Sequence, residues 1–241
     1  MPSIPQFRRD LFQVPLWVGS VEDDDLVESA KTLAYKFRDR PGEKGLVSDS
    51  WHRGEKSTER ERQDKQGVTS FYSENLVANK EWDENLSKIV AYAGGLLSDT
   101  HPMDLLKGMR IGNAWVTIYP QEAYVPQHIH AGFWVSGVYY VKAEESCGEI
   151  IFQDPAWVTK SMTISSNDLV PLGFPAPPTG YQYAPKTGDL LLFPSWLPHN
   201  TNPNLSGEDR IIFSFNLIFP KQCQYHRDIT AAFKEEGVGV S

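Results

Sequence analysis

The chain has 241 residues, a formal net charge of -8 at pH 7, and 40% hydrophobic and 12% aromatic residues. A chain of this length and composition can bury an ordered core without disulfides or structural metals, which argues against disorder. No stretch concentrates Lys and Arg, so the sequence carries no electrostatic footprint for nucleic acid or for an anionic membrane. We interpret the acidity as a contribution to solubility.

Cysteine usage and the N-terminus predict a soluble cytoplasmic protein. The two cysteines, Cys147 and Cys223, form no CxxC pattern, so neither a disulfide framework nor a thiolate zinc site is expected. The N-terminal run MPSIPQFRRDLFQVPLW lacks the apolar region of a signal peptide, and nothing nearby is long enough to span a bilayer. The oligomeric state is left open by the sequence, with a homodimer as one option.

The N-terminal part of the chain favours helices. Val21 to Arg38 begins with acidic residues, which suit a helix N-terminus, and carries apolar residues at helical spacing. Trp82 to Leu97 shows a similar apolar stripe. Between these segments, Trp51 to Gly67 is highly charged and predicts a solvated loop or an irregular helix.

From about Arg110 the pattern changes to short apolar or alternating runs separated by Gly, Pro and Asn, which is typical of strands. The predicted strands are Ile111–Tyr119, Gln127–His130, Val135–Val141, Gly148–Gln153, Asp189–Phe193 and Arg210–Phe219. Helices followed by strands predict one α+β domain over 1–241, mainly β. It would comprise a helical part at 1–109, a β-sandwich or barrel at 110–220 and a tail at 221–241.

Three of the six histidines stand in a context that suggests a metal site. His128 and His130 in PQHIHAG lie two apart, so on a strand both imidazoles point to one face and can converge on one ion. His199 follows a predicted strand, and a ligand from a distant strand suits a first-row metal held facially with open positions. Imidazole suits Fe, Zn and Cu, so histidines alone do not name the metal. We interpret the others as surface residues: His52, His101 and His226.

Arg210 adds an anion-binding group. It follows His199 by eleven residues, in GEDRIIFSFNLIF, and its guanidinium can form paired hydrogen bonds with a carboxylate. Ile212 and Ser214 share its face of the predicted strand, so the Ser214 hydroxyl could help to hold the same anion.

The runs YPQEAYVPQHIH, SGVYYVKAEESCGEIIFQDP and GDLLLFPSWLPHNTNPNLSGEDRIIFSFNL, in this order, resemble the 2-oxoglutarate/Fe(II)-dependent oxygenases of the prolyl-hydroxylase-like branch. The resemblance covers roughly Asn113 to Phe219 and is greatest to a group of oxygenases from bacteria and phages. It implies a double-stranded β-helix (a jelly-roll or cupin-like core), with the N-terminal helices buttressing it. It also implies an enzyme that uses Fe(II), 2-oxoglutarate and dioxygen.

The resemblance also implies residue roles. His128 and His199 correspond to iron ligands, and Arg210 to the residue that binds the distal carboxylate of 2-oxoglutarate, with Ser214 beside it. Further residues fall where related enzymes contact the cosubstrate, although core packing accounts equally well for the two tyrosines: Tyr140, Tyr119 and, more weakly, Asn216.

The second metal ligand departs from the usual pattern, because related enzymes carry HxD or HxE where this chain has His130. Three interpretations stand. His130 completes an all-histidine triad, which strand periodicity favours. A nearby acid, Glu149 or Asp154, serves instead. Or the position is open and His130 points away. A neutral ligand would leave the iron site more positive by one unit.

The implied activity is hydroxylation of an unidentified small molecule or side chain, with release of succinate and CO2. The long Pro- and Gly-rich connection Trp157–Pro185 contains the candidate lid or specificity element, Val170–Pro185. Trp134 and Trp157 could line the pocket, although core packing accounts for each at least as well. One alternative is a three-histidine iron dioxygenase that does not use 2-oxoglutarate, with Arg210 binding the carboxylate of its substrate. Another is a non-catalytic jelly roll that binds a ligand.

Overall fold

The computed structural model describes residues 13–39, 68–158 and 180–219. The helices are Asp24–Arg38 (α1), Asp83–Ser98 (α2) and Met103–Leu106 (α3), with 3-10 turns at Leu76–Ala78 and Lys80–Trp82. The strands are Trp17–Ser20 (β1), Val68–Thr69 (β2), Arg110–Tyr119 (β3), Val135–Lys142 (β4), Ile150–Gln153 (β5), Gly180–Tyr183 (β6), Asp189–Pro194 (β7), His199–Thr201 (β8) and Arg210–Ile218 (β9).

Helix α1 shows how local sequence sets an element's limits. The Asp23 side chain accepts a hydrogen bond from the Leu26 N–H at 2.9 Å, which caps the first turn. The acidic run therefore starts the helix at Asp24, slightly later than the sequence predicts. Its buried face packs towards the larger sheet through Ala30 and Ala34, whose small side chains allow a close approach. The predicted helices at both N-terminal positions are confirmed, the second as α2.

The strands form two antiparallel sheets. The larger has six strands in the order β1-β7-β4-β9-β3-β2, and the smaller has three in the order β6-β5-β8. These sheets face each other as the double-stranded β-helix that the resemblance implies, and α1 and α2 cover the outer face of the larger one.

The larger sheet separates two cores. On its outer face, apolar side chains pack against the helices, and on its inner face a second cluster lies between the sheets. Strand β9 contributes to both by alternation. The residues that pack on the helix side are Ile211, Phe213, Phe215 and Leu217. The residues on the opposite face, which line the cavity between the sheets, are Arg210, Ile212, Ser214 and Asn216.

The predicted strand Gln127–His130 is wrong in extent, because this segment makes one isolated antiparallel bridge between His128 and His199. The bridge is not extended into a longer strand pairing, and the reason is local. The next pair in the ladder would join His130 and Leu197, but the Leu197 N–H is already bonded to the Pro194 carbonyl in a turn. The His130 N–H instead reaches the Ser195 carbonyl at 2.8 Å.

The connection Trp157–Pro185 is not wholly without regular structure, because β6 pairs with β5 over Gly180–Tyr183. The remainder of the candidate lid, residues 170–179, lies outside the described residues, as do the predicted loop Trp51–Gly67 and both His52 and His226. Within the described ranges, no helix has the length and apolar character needed to cross a membrane.

Trp82 tests the helix-side core. Its side chain is 2% exposed and stacks on Phe213 of β9, with ring centroids 5.3 Å apart. We expect Trp82→Ala to lower the free energy of unfolding by about 3–5 kcal/mol, because it leaves a cavity under the sheet. Urea denaturation followed by far-ultraviolet circular dichroism measures this. The matched control is Trp196→Ala, 52% exposed, with a change of at most about 0.5 kcal/mol; equal losses would contradict the core assignment.

Candidate metal centre and its cavity

Three histidines converge between the two sheets. The His128 and His199 backbones exchange hydrogen bonds of 3.0 and 3.1 Å across their bridge. The ring centroid of His130 lies 5.2 Å from that of His128 and 5.1 Å from that of His199. One nitrogen from each imidazole lies within 4.8 Å of the other two, a spacing from which all three can reach a single ion.

The backbone fixes the tautomers of two of these rings. His128 Nδ1 lies 2.9 Å from the Pro126 carbonyl oxygen, and His199 Nδ1 lies 2.8 Å from the Leu197 carbonyl oxygen. A carbonyl oxygen can only accept, so each Nδ1 carries the proton and each Nε2 keeps a free lone pair. A second hydrogen-bonded ring nitrogen of this kind is the usual support for a metal-binding histidine.

His130 is held by a side-chain network instead. Its Nδ1 lies 2.7 Å from Asn216 Oδ1, which also accepts from the Ser136 hydroxyl at 2.6 Å. Asn216 Nδ2 donates to Asn113 Oδ1 at 2.8 Å, so the amide orientation is fixed from both ends. Ser136 Oγ lies 2.8 Å from Ser195 Oγ. The network gives His130 the same tautomer as the other two histidines, with Nε2 free.

Burial keeps these imidazoles neutral. Desolvation lowers the pKa of His199 to about 3, with repulsion from His128 adding to the effect. It lowers the pKa of His130 to about 4, against the opposing hydrogen bond to Asn216. The pKa of His128 is lowered for the same reason. Protons therefore do not compete for the free lone pairs near neutral pH.

The geometry distinguishes the three interpretations of the second position. The candidate metal-binding group found among the described residues consists of the three histidines and includes no carboxylate. Glu149 accepts from Asn202 Nδ2 at 2.8 Å and does not line the cavity. Asp154 lines a different cavity. His130 does not point away, so the arrangement favours the all-histidine interpretation.

Arg210 also lines this cavity, and its guanidinium is a buried positive charge. Its side chain is 1% exposed. Nη1 donates to the carbonyl oxygens of Cys147 at 2.7 Å and Gly148 at 3.1 Å, and Nη2 donates to Thr201 Oγ1 at 3.0 Å. No described carboxylate pairs with it, and its Nε has no hydrogen-bond partner. A buried guanidinium without an opposite charge is costly unless an anion completes the site.

Gly148 makes this arrangement of carbonyls possible. Its φ is 92°, and a Cβ at this position would collide with the Asn202 carbonyl oxygen and lie 2.8 Å from Arg210 Nη1. Only glycine adopts this conformation without strain while it leaves room for the guanidinium.

The other predicted cosubstrate residues also lie in the cavity. The Arg210 guanidinium lies 4.4 Å from the ring centroid of Tyr119. Burial raises the pKa of both Tyr119 and Tyr140, so each phenol keeps its proton as a donor. Ser214 lines the cavity between Arg210 and Asn216.

The cavity has a volume of about 420 Å³ and brings together the three histidines and every residue predicted to contact the cosubstrate. Trp134 and Trp157 do not line it, which corrects that expectation: Trp134 is 47% exposed and stacks on Phe219, and Trp157 is 39% exposed. Sequence reasoning missed several lining or supporting residues, among them Asn113, which holds the Asn216 amide, and Thr201, which accepts from Arg210. Period-two alternation from Tyr119 could have found Trp115, whereas no sequence signal pointed to the others: Phe71, Tyr72 and Ser136.

Comparison with known proteins shows which class of protein this fold and site resemble. Residues 113–216 match the family model described as "Putative 2OG-Fe(II) oxygenase". This segment includes all three histidines, Arg210 and most of both sheets. This segment is therefore similar to the 2-oxoglutarate/Fe(II)-dependent oxygenases, a family that depends on Fe(II), 2-oxoglutarate and dioxygen. A search of curated protein sequences finds no matching relative.

Solved structures share the fold at low sequence identity. HygX from Streptomyces hygroscopicus, with nickel, 2-oxoglutarate and hygromycin B bound, is 14% identical with a TM-score of 0.52, over 85% of this chain and 82% of that chain. A Pseudomonas putida prolyl-4-hydroxylase is 16% identical with a TM-score of 0.50, over 86% and 95%. A Trichoplax adhaerens prolyl hydroxylase, in complex with a hypoxia inducible factor peptide fragment, is 15% identical with a TM-score of 0.52, over 86% and 84%.

The lowered histidine pKa values predict a pH dependence of stability without metal. An unfolded histidine, with a pKa of 6.5, takes up a proton before the folded His199 or His130 does. Stability should therefore fall as the pH is lowered from about 6.5 towards about 4. Denaturation at a series of pH values measures this. The free energy of unfolding of the His199→Gln variant should fall less steeply over this pH window, because the carboxylates contribute equally in the variant and in the unsubstituted chain. Parallel curves for the two chains would contradict the lowered pKa of His199.

Proposed function

We propose that the chain is an iron- and 2-oxoglutarate-dependent dioxygenase that hydroxylates its substrate and releases succinate and CO2. His128, His130 and His199 would hold Fe(II), and Arg210 would bind the distal carboxylate of 2-oxoglutarate. One observation carries this proposal. Three neutral imidazoles with free Nε2 lone pairs share a cavity with a buried guanidinium that has no described counter-charge.

The spacing between triad and guanidinium supports a ligand that bridges them. Arg210 Nη2 bonds to Thr201 Oγ1, and Thr201 lies two residues from His199 on β8. Residues two apart on a strand share a face and lie about 6–7 Å apart. A short dicarboxylate can span this distance, with one end at the metal and the other at Arg210.

The remaining residues orient the cosubstrate and exclude water. Iron held by the three histidines would supply the activation of dioxygen, with one oxygen atom going to the substrate and the other to succinate. The Tyr140 phenol and the Ser214 hydroxyl can donate to the same distal carboxylate as Arg210. Apolar side chains also line the cavity, which lowers the local dielectric and strengthens each interaction: Val125, Val138, Ile150, Phe193 and Ile212.

The absence of a carboxylate from the triad favours a second candidate. A three-histidine iron dioxygenase without 2-oxoglutarate would use Arg210 to bind the carboxylate of its substrate. Oxygen uptake with and without 2-oxoglutarate separates the two activities. Turnover without succinate would support the second candidate and refute the first. A chain that retains no metal after anaerobic purification with iron would instead support a non-catalytic jelly roll.

The principal test measures metal and cosubstrate binding separately. We expect one Fe(II) per chain by elemental analysis, and calorimetric binding of 2-oxoglutarate that requires the metal. His199→Ala should lose the metal, whereas the control His101→Ala, which is outside the cavity, should retain it. Arg210→Gln should keep the metal but weaken 2-oxoglutarate binding at least about tenfold, because a charge-assisted contact is lost. Arg210→Lys should recover part of this affinity; unchanged affinity in Arg210→Gln would refute the assigned role.

Asn216 tests how the triad is supported. Asn216→Ala removes the acceptor of His130 Nδ1, and we expect metal affinity to fall about 10- to 100-fold. Asn216→Asp keeps an acceptor oxygen at the same place and should bind metal more tightly than the alanine variant. Competition with a chelating dye measures both affinities. Equal affinity of Asn216→Ala and the unsubstituted chain would refute the supporting role of the hydrogen bond between Asn216 and His130.

A further inference from the structure

Three aromatic side chains form one edge of the cavity, and Phe71, Tyr72 and Trp115 are called the aromatic wall below. The Phe71 ring lies edge-on to both other rings, with centroid distances of 5.0 Å. Phe71 is 50% exposed and Tyr72 is 58% exposed. Large exposed rings that line a cavity indicate a binding surface, whereas single surface rings elsewhere need no such explanation.

The aromatic wall lies beside the triad and away from Arg210. The ring centroids of Trp115 and His130 are 5.5 Å apart. Tyr119, which the Arg210 guanidinium covers, lies four residues further along β3. That separation places the Cα atoms of Trp115 and Tyr119 about 13 Å apart. The triad therefore has a charged side, which Arg210 provides, and an aromatic side.

Charge is distributed unequally along the cavity. Among the described residues that line it, Arg210 is the one with a permanent charge, and none is Asp or Glu. A charged group placed against the aromatic wall would lose hydration without gaining an opposite charge. Aromatic faces can attract a cation, but a metal ion held by three neutral imidazoles would repel a cation so close to it.

We propose that the aromatic wall binds an uncharged ring or bulky apolar group of the substrate and holds it next to His130. The inference rests on the proposed function, since it names the substrate class of the same site. Edge-to-face contacts with Phe71 and Trp115 would orient the group, and its burial would exclude water from the triad.

Three probes that share an indole ring test the charge requirement. Indole-3-acetamide is neutral, indole-3-acetate is an anion and tryptamine is a cation. Each is titrated into the full chain loaded with Mn(II) and 2-oxoglutarate, and NMR relaxation of the probe protons reports both binding and proximity to the metal. Protein loaded with Zn(II) is the diamagnetic reference. We expect the neutral probe to bind at least about tenfold more tightly than either charged probe, with ring protons that relax faster beside Mn(II).

Variants of the aromatic wall test its role. Phe71→Ala removes an exposed ring, and we expect it to weaken binding of indole-3-acetamide about 5- to 20-fold. The matched control is Tyr181→Ala, because Tyr181 is 56% exposed and lines a different cavity. That control should leave the affinity unchanged.

Three results would overturn the proposal: no binding of any probe, equal or tighter binding of a charged probe, or unchanged affinity in Phe71→Ala. Failure of the proposed function is recognised separately, because Mn(II) and 2-oxoglutarate binding are measured before the probes are added. Saturation-transfer NMR on the metal-free chain then still measures the aromatic wall. Loss of the neutral probe's signal in Phe71→Ala would support the wall, and an unchanged signal would refute it.

Discussion

The period-two alternation of β9 is the constraint on which both the core and the cavity depend. One set of its side chains packs under α1 and α2, and the other set, from Arg210 to Asn216, faces the second sheet. A shift of one residue in its pairing with β3 and β4 would exchange the two sets. It would place the guanidinium against the helices and four large apolar side chains in the cavity. Burial of Phe213 against Trp82 therefore also fixes the position of Arg210.

The same alternation explains why much of the site could be predicted from the sequence. Arg210 and Ser214 share a face because they lie four apart on one strand, and no tertiary information is needed to see this. The strands that were predicted within a few residues, such as β4 and β7, are long and apolar. His128 and His130 do reach the same ion site, although the segment that carries them forms a single bridge instead of a strand.

The rest depends on contacts between segments that are distant in the chain. Asn113 and Ser136 support His130 through Asn216, and no local pattern marks a polar residue as the partner of one that lies 80 or more residues away. Short strands such as β1 and β2 are stabilised by their neighbours and carry little signal of their own. From the sequence, Trp134 could line the pocket or pack in the core, but its place directly before β4 directs it to Phe219.

The tautomer-fixing partners of the histidines have a consequence for how metal and cosubstrate would assemble. Two rings donate to backbone carbonyls and the third to an amide, so neither the ligands nor their hydrogen-bond partners supply a negative charge. In the proposed enzyme, a divalent metal ion would gain its first compensating charges from 2-oxoglutarate itself. Reciprocal linkage then requires that each strengthens the binding of the other by the same factor. A chain with little cosubstrate would hold its iron loosely, and iron retention would follow the cellular supply of a central metabolite.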